Sequence, residues 1–200
     1  MKANGIFRSV TPSAKLAMVN NQIGNPALKY NQGSTSEIWD YQLIGTPGAK
    51  STITFFSDVN TKTAPLTNLT TNTLQVGEAL SMSYLAFTRM VIKAGEITSW
   101  TALNAIDGLN VATFSFLLDN SRIIKNNSLC RSNPLFNTQG GTAGNALFYP
   151  DTNLIIPPQI SFTGELAIAA NDDTSSEGEA VYYGLHIFGT GAILNLKSNV

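Results

Sequence analysis

A few stretches of the sequence bring together side chains of the types that bind metal ions or catalyse reactions. The most acidic stretch holds Asp172, Asp173, Glu177 and Glu179. A calcium site needs several oxygen ligands that converge on one point. These acids do not follow the alternate positions and central glycine of the calcium-binding helix-loop-helix motif. Two interpretations stay open, a weak calcium site and the more ordinary solvated loop between two strands.

Histidine and cysteine each occur once, as His186 and Cys130. A catalytic triad or a histidine-rich zinc site would need further partners of these types. A lone cysteine cannot form an internal disulfide. His186 lies in a predicted strand, on the face opposite Leu185 and Ile187. We therefore expect a hydrogen-bonded structural histidine, a reduced structural cysteine, and no catalytic residue, cofactor or metal ligand.

The remaining candidates for chemistry are a glycine-rich segment, the other carboxylates and the aromatic residues. Segment 139–144 lacks the lysine and the following helix of a phosphate-binding loop. A glycosidase needs two carboxylates that face each other across a cleft. No spacing singles out such a pair among Glu37, Asp40, Glu78, Glu96, Asp119 and Glu165. Aromatic residues in strands more often fill a core than bind a ligand. The aromatic residues that are candidates for stacking on a sugar are Trp39, Trp100, Tyr149, Tyr182 and Tyr183. We expect a protein that is not an enzyme.

Composition points to a surface that is polar but carries little charge. Charged residues make up 12% of the chain, hydrophobic residues 43%, and the net charge is −1. Since an average protein has about 25% charged residues, such a surface repels copies of itself weakly. The charge balance argues against a general binder of nucleic acid or anionic membranes. We also expect no membrane span and synthesis in a reducing cytoplasm, because neither a bilayer-length apolar run nor a secretory signal is found.

The elements that must position these residues are mainly strands. Alternate residues are apolar in 160–168 and again in 181–189, the period of a strand with one buried face. We predict two long strands here, joined by the acidic loop as a closing hairpin. Two strands cannot bury their apolar faces alone, so the rest of the chain must supply a second sheet.

Upstream, the pattern predicts further strands and one helix. Strands are predicted at 37–44 and 51–56, paired as a hairpin, and at 79–93, 111–118 and 121–125. In the first strand, the face with Trp39, Tyr41 and Leu43 is predicted to enter the core. A helix is predicted over 96–106, because Trp100, Leu103 and Ile106 fall at helical spacing after a capping Thr98 or Ser99.

Together these elements predict an all-β fold of about eight strands with long connections. That pattern is typical of an antiparallel β-sandwich of jelly-roll type, here with one short helix near 98–106. Residues 1–34 are expected to form an N-terminal arm with a short helix, and residues 35–200 a single sandwich domain.

Two stretches carry a resemblance to a known class of protein. The first is Thr67-Asn68-Leu69 followed by residues 74–80 and a long strand. The second is residues 155–162, then a strand, a polar loop, and Tyr183-Gly184-Leu185-His186-Ile187-Phe188-Gly189. Both are similar to regions of bacteriophage jelly-roll virion proteins.

The resemblance implies a capsid or capsid-associated subunit of a virion, made in the host cytoplasm. It implies contacts with copies of itself and with other capsid proteins, no direct binding of nucleic acid, and no catalytic residues. An alternative is a carbohydrate- or receptor-binding sandwich module.

Overall fold

The structure, a computed structural model, describes residues 32–44, 51–102, 112–128, 147–148, 150, 152–168 and 178–193, together with residue 17. These ranges contain ten strands in two sheets and a short 3₁₀ helix, Val59–Thr61. Sheet A comprises β1 (Gln32–Leu43), β3 (Glu78–Lys93), β4 (Glu96–Ala102), β7 (Leu147–Phe148), β8 (Leu154–Ile156) and β10 (Glu179–Ile193). Sheet B comprises β2 (Ser51–Phe55), β5 (Thr113–Leu118), β6 (Ser121–Ser128) and β9 (Phe162–Ile168). Within the same ranges, no helix is both long and apolar enough to cross a bilayer.

The strands pair in a nested order. β1 pairs with β10, β2 with β9, β3 with β7 and β8, and β5 with β6, all antiparallel. β10 also pairs with β3, and β9 pairs with β5. The strand orders are therefore β1-β10-β3-β4 in sheet A and β2-β9-β5-β6 in sheet B. The first half of the chain therefore runs antiparallel to the second half, and the double ribbon is folded into two layers. The predicted all-β sandwich is confirmed.

One continuous hydrophobic core lies between the two sheets. The predicted alternation holds in β9, where Phe162, Leu166 and Ile168 are buried, and in β10, where Leu185 and Ile187 are buried. Burying one such side chain stabilises the fold by about 1.5–3 kcal/mol. The long strand predicted at 79–93 and the strand at 121–125 are present as β3 and β6.

Both predicted hairpins are wrong. β1 and β2 lie in different sheets, as do β9 and β10, so neither pair of consecutive strands is hydrogen-bonded as a hairpin. The error has a physical reason, because alternation reports which face of a strand is buried and not which strand lies beside it.

The predicted core face of β1 is also wrong. Ile38 and Asp40 face the core and are buried, whereas Leu43 on the other face is 60% exposed. Tyr41 is buried too, but on the outer face of sheet A. The sequence misled because a carboxylate rarely enters a core unless it is paired there, and Asp40 is paired.

The predicted helix over 96–106 is wrong where the structure describes it. Residues 96–102 form β4, which pairs with β3 across a two-residue turn, Ala94-Gly95. Both turn residues have positive φ, the geometry that matches the twist of a hairpin. Residues 103–106 lie outside the described residues. The segment Ile97-Thr98 is β-branched and favours a strand, so tertiary pairing overrides the helical spacing.

The N-terminal arm is expected to extend to residue 34, but β1 already begins at Gln32, which pairs with Ile193. The rest of this arm, including the short helix expected at 12–19, lies outside the described residues except for Ala17.

Candidate functional site

The most distinctive surface is the outer face of sheet A, defined as the side chains that point away from sheet B. Strand register places these side chains in rows that run across the sheet. One row is Leu43, Tyr182, Met90 and Trp100, and the next contains Tyr41, Gly184 and Thr88. Two further rows contain Trp39, His186 and Ala86, then Glu37, Phe188 and Tyr84. The outer face is therefore largely aromatic.

His186 lies at the centre of this face, buried and hydrogen-bonded at both ring nitrogens. Its Nδ1 lies 2.6 Å from Glu37 Oε1, and its Nε2 lies 2.9 Å from Tyr41 Oη. Thr88 Oγ1 donates to Tyr41 Oη at 3.0 Å. We call these four residues, Glu37, Tyr41, Thr88 and His186, the His186 cluster. It joins the three strands β1, β10 and β3.

The cluster fixes the tautomer of the histidine. An ionised carboxylate only accepts hydrogen bonds, so Nδ1–H donates to Glu37 and Nε2 accepts from the Tyr41 hydroxyl. Burial lowers the pKa of His186 below its ordinary value of 6.5, although the hydrogen bond and the charge of Glu37 oppose this. Burial also raises the pKa of Tyr41. Both ring nitrogens of neutral His186 are occupied, so neither is free to bind a metal or accept a substrate proton.

Four aromatic rings pack close to the histidine ring, which the Tyr41 ring meets edge-on at a centroid distance of 5.4 Å and the other three approach nearly parallel. Phe188, Trp39 and Trp100 have ring centroids 6.0, 6.3 and 6.2 Å from that of His186, with planes inclined by 12°, 19° and 29°. Gly184 makes room for this packing, because a Cβ at that position would collide with the Tyr41 ring and lie 2.6 Å from Thr88 Oγ1. The centre of the outer face is thus filled by packed side chains.

Part of this face is open to solvent. Among the described residues, three of the five large exposed hydrophobic side chains lie on it: Leu43, Ile97 and Trp100. Trp100 is 60% exposed. Leu43 lies on β1, whereas Ile97 and Trp100 lie together on β4, at the other end of the order β1-β10-β3-β4. Exposed apolar side chains on one face often mark a place where another molecule binds.

A second polar cluster lies on the core side of β1. Lys62 Nζ is 2.9 Å from Asp40 Oδ1 and 2.8 Å from Asp58 Oδ1. Gln42 Nε2 donates to both carboxylates, and the Phe56 backbone N–H donates to Asp40 at 2.8 Å. Because β1 belongs to sheet A and Phe56 directly follows β2 of sheet B, Asp40 ties the two layers together.

The two carboxylates of this second cluster differ in environment. Burial raises the pKa of Asp40, and the hydrogen bonds from Phe56 and Lys62 only partly compensate. Burial also acts on Asp58, but hydrogen bonds from Lys62 and Gln42 and the Lys62 charge bring its pKa below the ordinary value. Asp40 is fully shielded from solvent, so the cluster fits a structural clamp rather than a reaction site.

The structure separates most of the carboxylates that sequence alone left as candidates. Glu37 and Asp40 lie on opposite faces of β1. Glu165 pairs with Arg122 at 2.9 Å in sheet B, and Glu179 lies 3.5 Å from Lys93 in sheet A. Across the described part of the chain, no group of three or more His, Cys, Asp or Glu residues could hold a metal ion.

Several candidates lie outside the described residues: Cys130, segment 139–144, Tyr149 and the acidic residues Asp172, Asp173 and Glu177. Of the aromatic candidates, Tyr183 is buried in the core, Tyr182 and Trp39 are half-buried, and Trp100 is exposed.

Sequence reasoning missed both clusters. Glu37 and His186 are 149 positions apart, and Asp40 and Lys62 are 22 apart. The one available signal was the alternation of β10, which correctly placed His186 opposite the core side chains.

Comparison with protein-family models, with curated protein sequences and with solved structures finds no match to this chain.

Proposed function

We propose that this chain is a structural subunit of a virion, a capsid or auxiliary capsid protein that acts through contacts with other proteins. The observation that carries the proposal is the nested strand order, β1-β10-β3 with β7 and β8, facing β2-β9-β5-β6. If β4 is taken as an added hairpin strand and the short β7 and β8 as one interrupted strand, eight strands remain, the number in a jelly roll built from two Greek keys. It supports a jelly roll, a fold that viral capsid and lectin domains share.

The outer face of sheet A favours a role in protein contact over a role in binding a small ligand. Its central polar groups, Glu37, Tyr41 and Thr88, already hydrogen-bond with one another or with His186. A small polar ligand would need such groups to be available. A protein surface that covers the aromatic rings needs mainly shape and apolar area, with few charges at its centre. The filled, aromatic face suits the second use.

Low charge supports the same role at the level of the whole chain. With 12% charged residues and a net charge of −1, neighbouring copies meet little electrostatic repulsion. The proposed partners are copies of the chain and other capsid proteins, and the proposed location is the virion.

Electron microscopy and light scattering of the purified chain test this proposal. We expect oligomers or particles, alone or together with particle proteins from the same source. A strictly monomeric chain under all conditions, which never enters particles, would contradict it. A monomer that acquires a defined copy number only within particles would support the auxiliary role.

A second candidate is a carbohydrate- or receptor-binding module, and one observation favours it. Trp100 is 60% exposed, and Trp39 lies on the same face. Exposed aromatic rings can stack on the apolar face of a sugar, and lectin domains include jelly rolls. A glycan array with the wild-type chain and Trp100→Ala separates the two roles, because a lectin should bind and then lose that binding.

A further inference from the structure

The Lys62 side chain brings together the groups that an amide bond needs. Its Nζ lies 2.9 Å from Oδ1 and 3.1 Å from Oδ2 of Asp40. The Asp40 side chain is fully shielded from solvent, and that of Lys62 is only 11% exposed. An amine and a carboxyl group held together in this way have a high effective concentration, which favours their condensation. Asp40 is closed to an outside substrate, but this reaction needs none, because both groups belong to the chain.

A second carboxylate, Asp58, is placed to carry the proton that such a condensation must move. Its Oδ1 lies 2.8 Å from Lys62 Nζ. Protonated lysine is not a nucleophile, so a proton must leave Nζ before the nitrogen attacks. An acceptor within hydrogen-bond reach can take that proton and pass it to the departing oxygen. Gln42 Nε2 donates to both Asp40 and Asp58, which holds the two carboxylates around the same nitrogen.

Burial supplies the driving force. Two charges kept out of water lose much of their hydration, and their mutual attraction recovers only part of that loss. Burial raises the pKa of Asp40 above its ordinary value, so the neutral acid, the form that an amine attacks, becomes easier to reach. An amide carries no net charge, so its formation removes both buried charges.

We propose that Lys62 and Asp40 condense into an intramolecular amide bond after the chain has folded. Lys62 Nζ forms a bond to Asp40 Cγ, the bond from Cγ to one carboxylate oxygen breaks, and that oxygen leaves as water with two protons from Nζ. The reaction needs no oxidant, reductant or cofactor. Because the ion pair must first pass through its neutral form, the bond forms slowly compared with folding. The inference is independent of the proposed virion role.

The bond joins β1 to the segment that follows β2 and closes a loop of residues 40–62. Such a cross-link constrains the unfolded chain as a disulfide does. The chain has one cysteine and cannot form an internal disulfide. The amide therefore gives it a covalent link that does not depend on an oxidising compartment.

Intact-mass spectrometry of the folded chain, kept at neutral pH and sampled over days, tests the proposal. In the wild type, we expect a species lighter by the mass of one water molecule to accumulate with time. Lys62→Arg keeps the charge but cannot form the amide, so it should keep its full mass. Lys93→Arg is the matched control. It changes the half-exposed lysine that pairs with Glu179, and it should lose water like the wild type.

Asp58→Ala tests the proton transfer. Removal of this acceptor should slow the accumulation of the lighter species by about 100-fold or more. The Asp58 side chain is 44% exposed, so the variant should still fold, which thermal unfolding checks. An Asp58→Ala chain that loses water as fast as the wild type would overturn the role given to Asp58.

Tryptic digestion locates the bond. It should yield one branched peptide that joins the segment of Asp40 to that of Lys62, with no cleavage after Lys62. A lighter mass that persists in Lys62→Arg and maps to a linear peptide would come from a cyclised aspartate or asparagine side chain and would overturn the proposal. A folded wild-type chain that keeps its full mass throughout would overturn it as well, and would leave the virion role untouched.

Discussion

At the scale of single residues, His186 is held neutral in a site that a charged imidazolium would strain. Glu37 accepts from Nδ1 and the Tyr41 hydroxyl donates to Nε2. A proton added at Nε2 would turn that acceptor into a donor. Tyr41 Oη would then accept from Nε2–H, and the Tyr41 hydroxyl proton would lose its acceptor. Thr88 Oγ1 could replace that acceptor only by ceasing to donate to Tyr41. Protonation therefore disturbs three strands at once.

This arrangement predicts a pH dependence of stability. Because the folded pKa of His186 lies below the ordinary 6.5, the unfolded chain takes up a proton first as the pH falls. The free energy of unfolding should decrease from about pH 6.5 downward until the folded pKa is passed, with a slope of at most about 1.4 kcal/mol per pH unit. Urea unfolding between about pH 7.5 and about pH 5.5 measures this.

The control is His186→Gln, which removes the one histidine in the chain. The free energy of unfolding of His186→Gln should change less than that of the wild type over the same pH interval, even if the variant is less stable throughout. Carboxylates such as Asp40 titrate in both proteins, so the difference between the two slopes isolates His186. Equal slopes would show that the histidine has the same pKa in the folded and unfolded chain.

The buried Asp40 predicts a second residue-scale effect. Asp40→Ala leaves the Phe56 N–H without its acceptor and removes one of the two acids that neutralise Lys62. We expect a loss of about 3 kcal/mol in the free energy of unfolding. Asp58→Ala, at a carboxylate whose side chain is 44% exposed, should cost about 1 kcal/mol or less. Chemical denaturation of the two variants checks the order, and equal losses would contradict the clamp.

At the scale of elements, the β3–β4 hairpin depends on its two-residue turn. Ala94 has φ of +51° and Gly95 has φ of +86°. An alanine in the left-handed region is strained, whereas asparagine tolerates it and Asn-Gly is a preferred pair for this turn. Ala94→Asn should therefore raise the free energy of unfolding by about 0.5–1 kcal/mol. Thermal melts read this out, and a destabilised variant would argue that this hairpin is not formed.

The elements also show how far sequence reasoning reached. Alternation predicted β3, β6, β9 and β10 together with the buried faces of the last two, because a half-buried strand repeats every two residues. The turn between β5 and β6 is also local, since Asp119 and Asn120 have positive φ and are residue types that favour turns.

What sequence reasoning could not give was non-local. Glu37 and His186 meet because β1 pairs with β10, and no local pattern encodes that pairing. Asp40 was assigned to the wrong face because its partner, Lys62, comes from a connector with no periodicity. Residues 96–106 predict a helix because Trp100, Leu103 and Ile106 fall at helical spacing. A strand forms at 96–102 instead because it pairs with β3 across the Ala94-Gly95 turn.

At the scale of the whole molecule, the chain combines two sheets packed face to face with one aromatic outer face. The nested pairing explains how strands bury most of the large apolar side chains that the structure describes. On that face, Leu43 is exposed on β1, and Ile97 and Trp100 are exposed on β4. A surface that is filled and hydrogen-bonded at its centre, apolar at its margin and low in charge suits contact with another protein.

Sedimentation velocity of the purified wild-type chain, over a wide concentration range, tests the central claim most directly. We expect a discrete species larger than the monomer, whose fraction increases with protein concentration. That fraction should fall in Trp100→Lys but not in the control Val76→Lys, which changes another exposed hydrophobic side chain. A single monomeric boundary at every concentration, unchanged by Trp100→Lys and unaffected by addition of particle proteins, would contradict it.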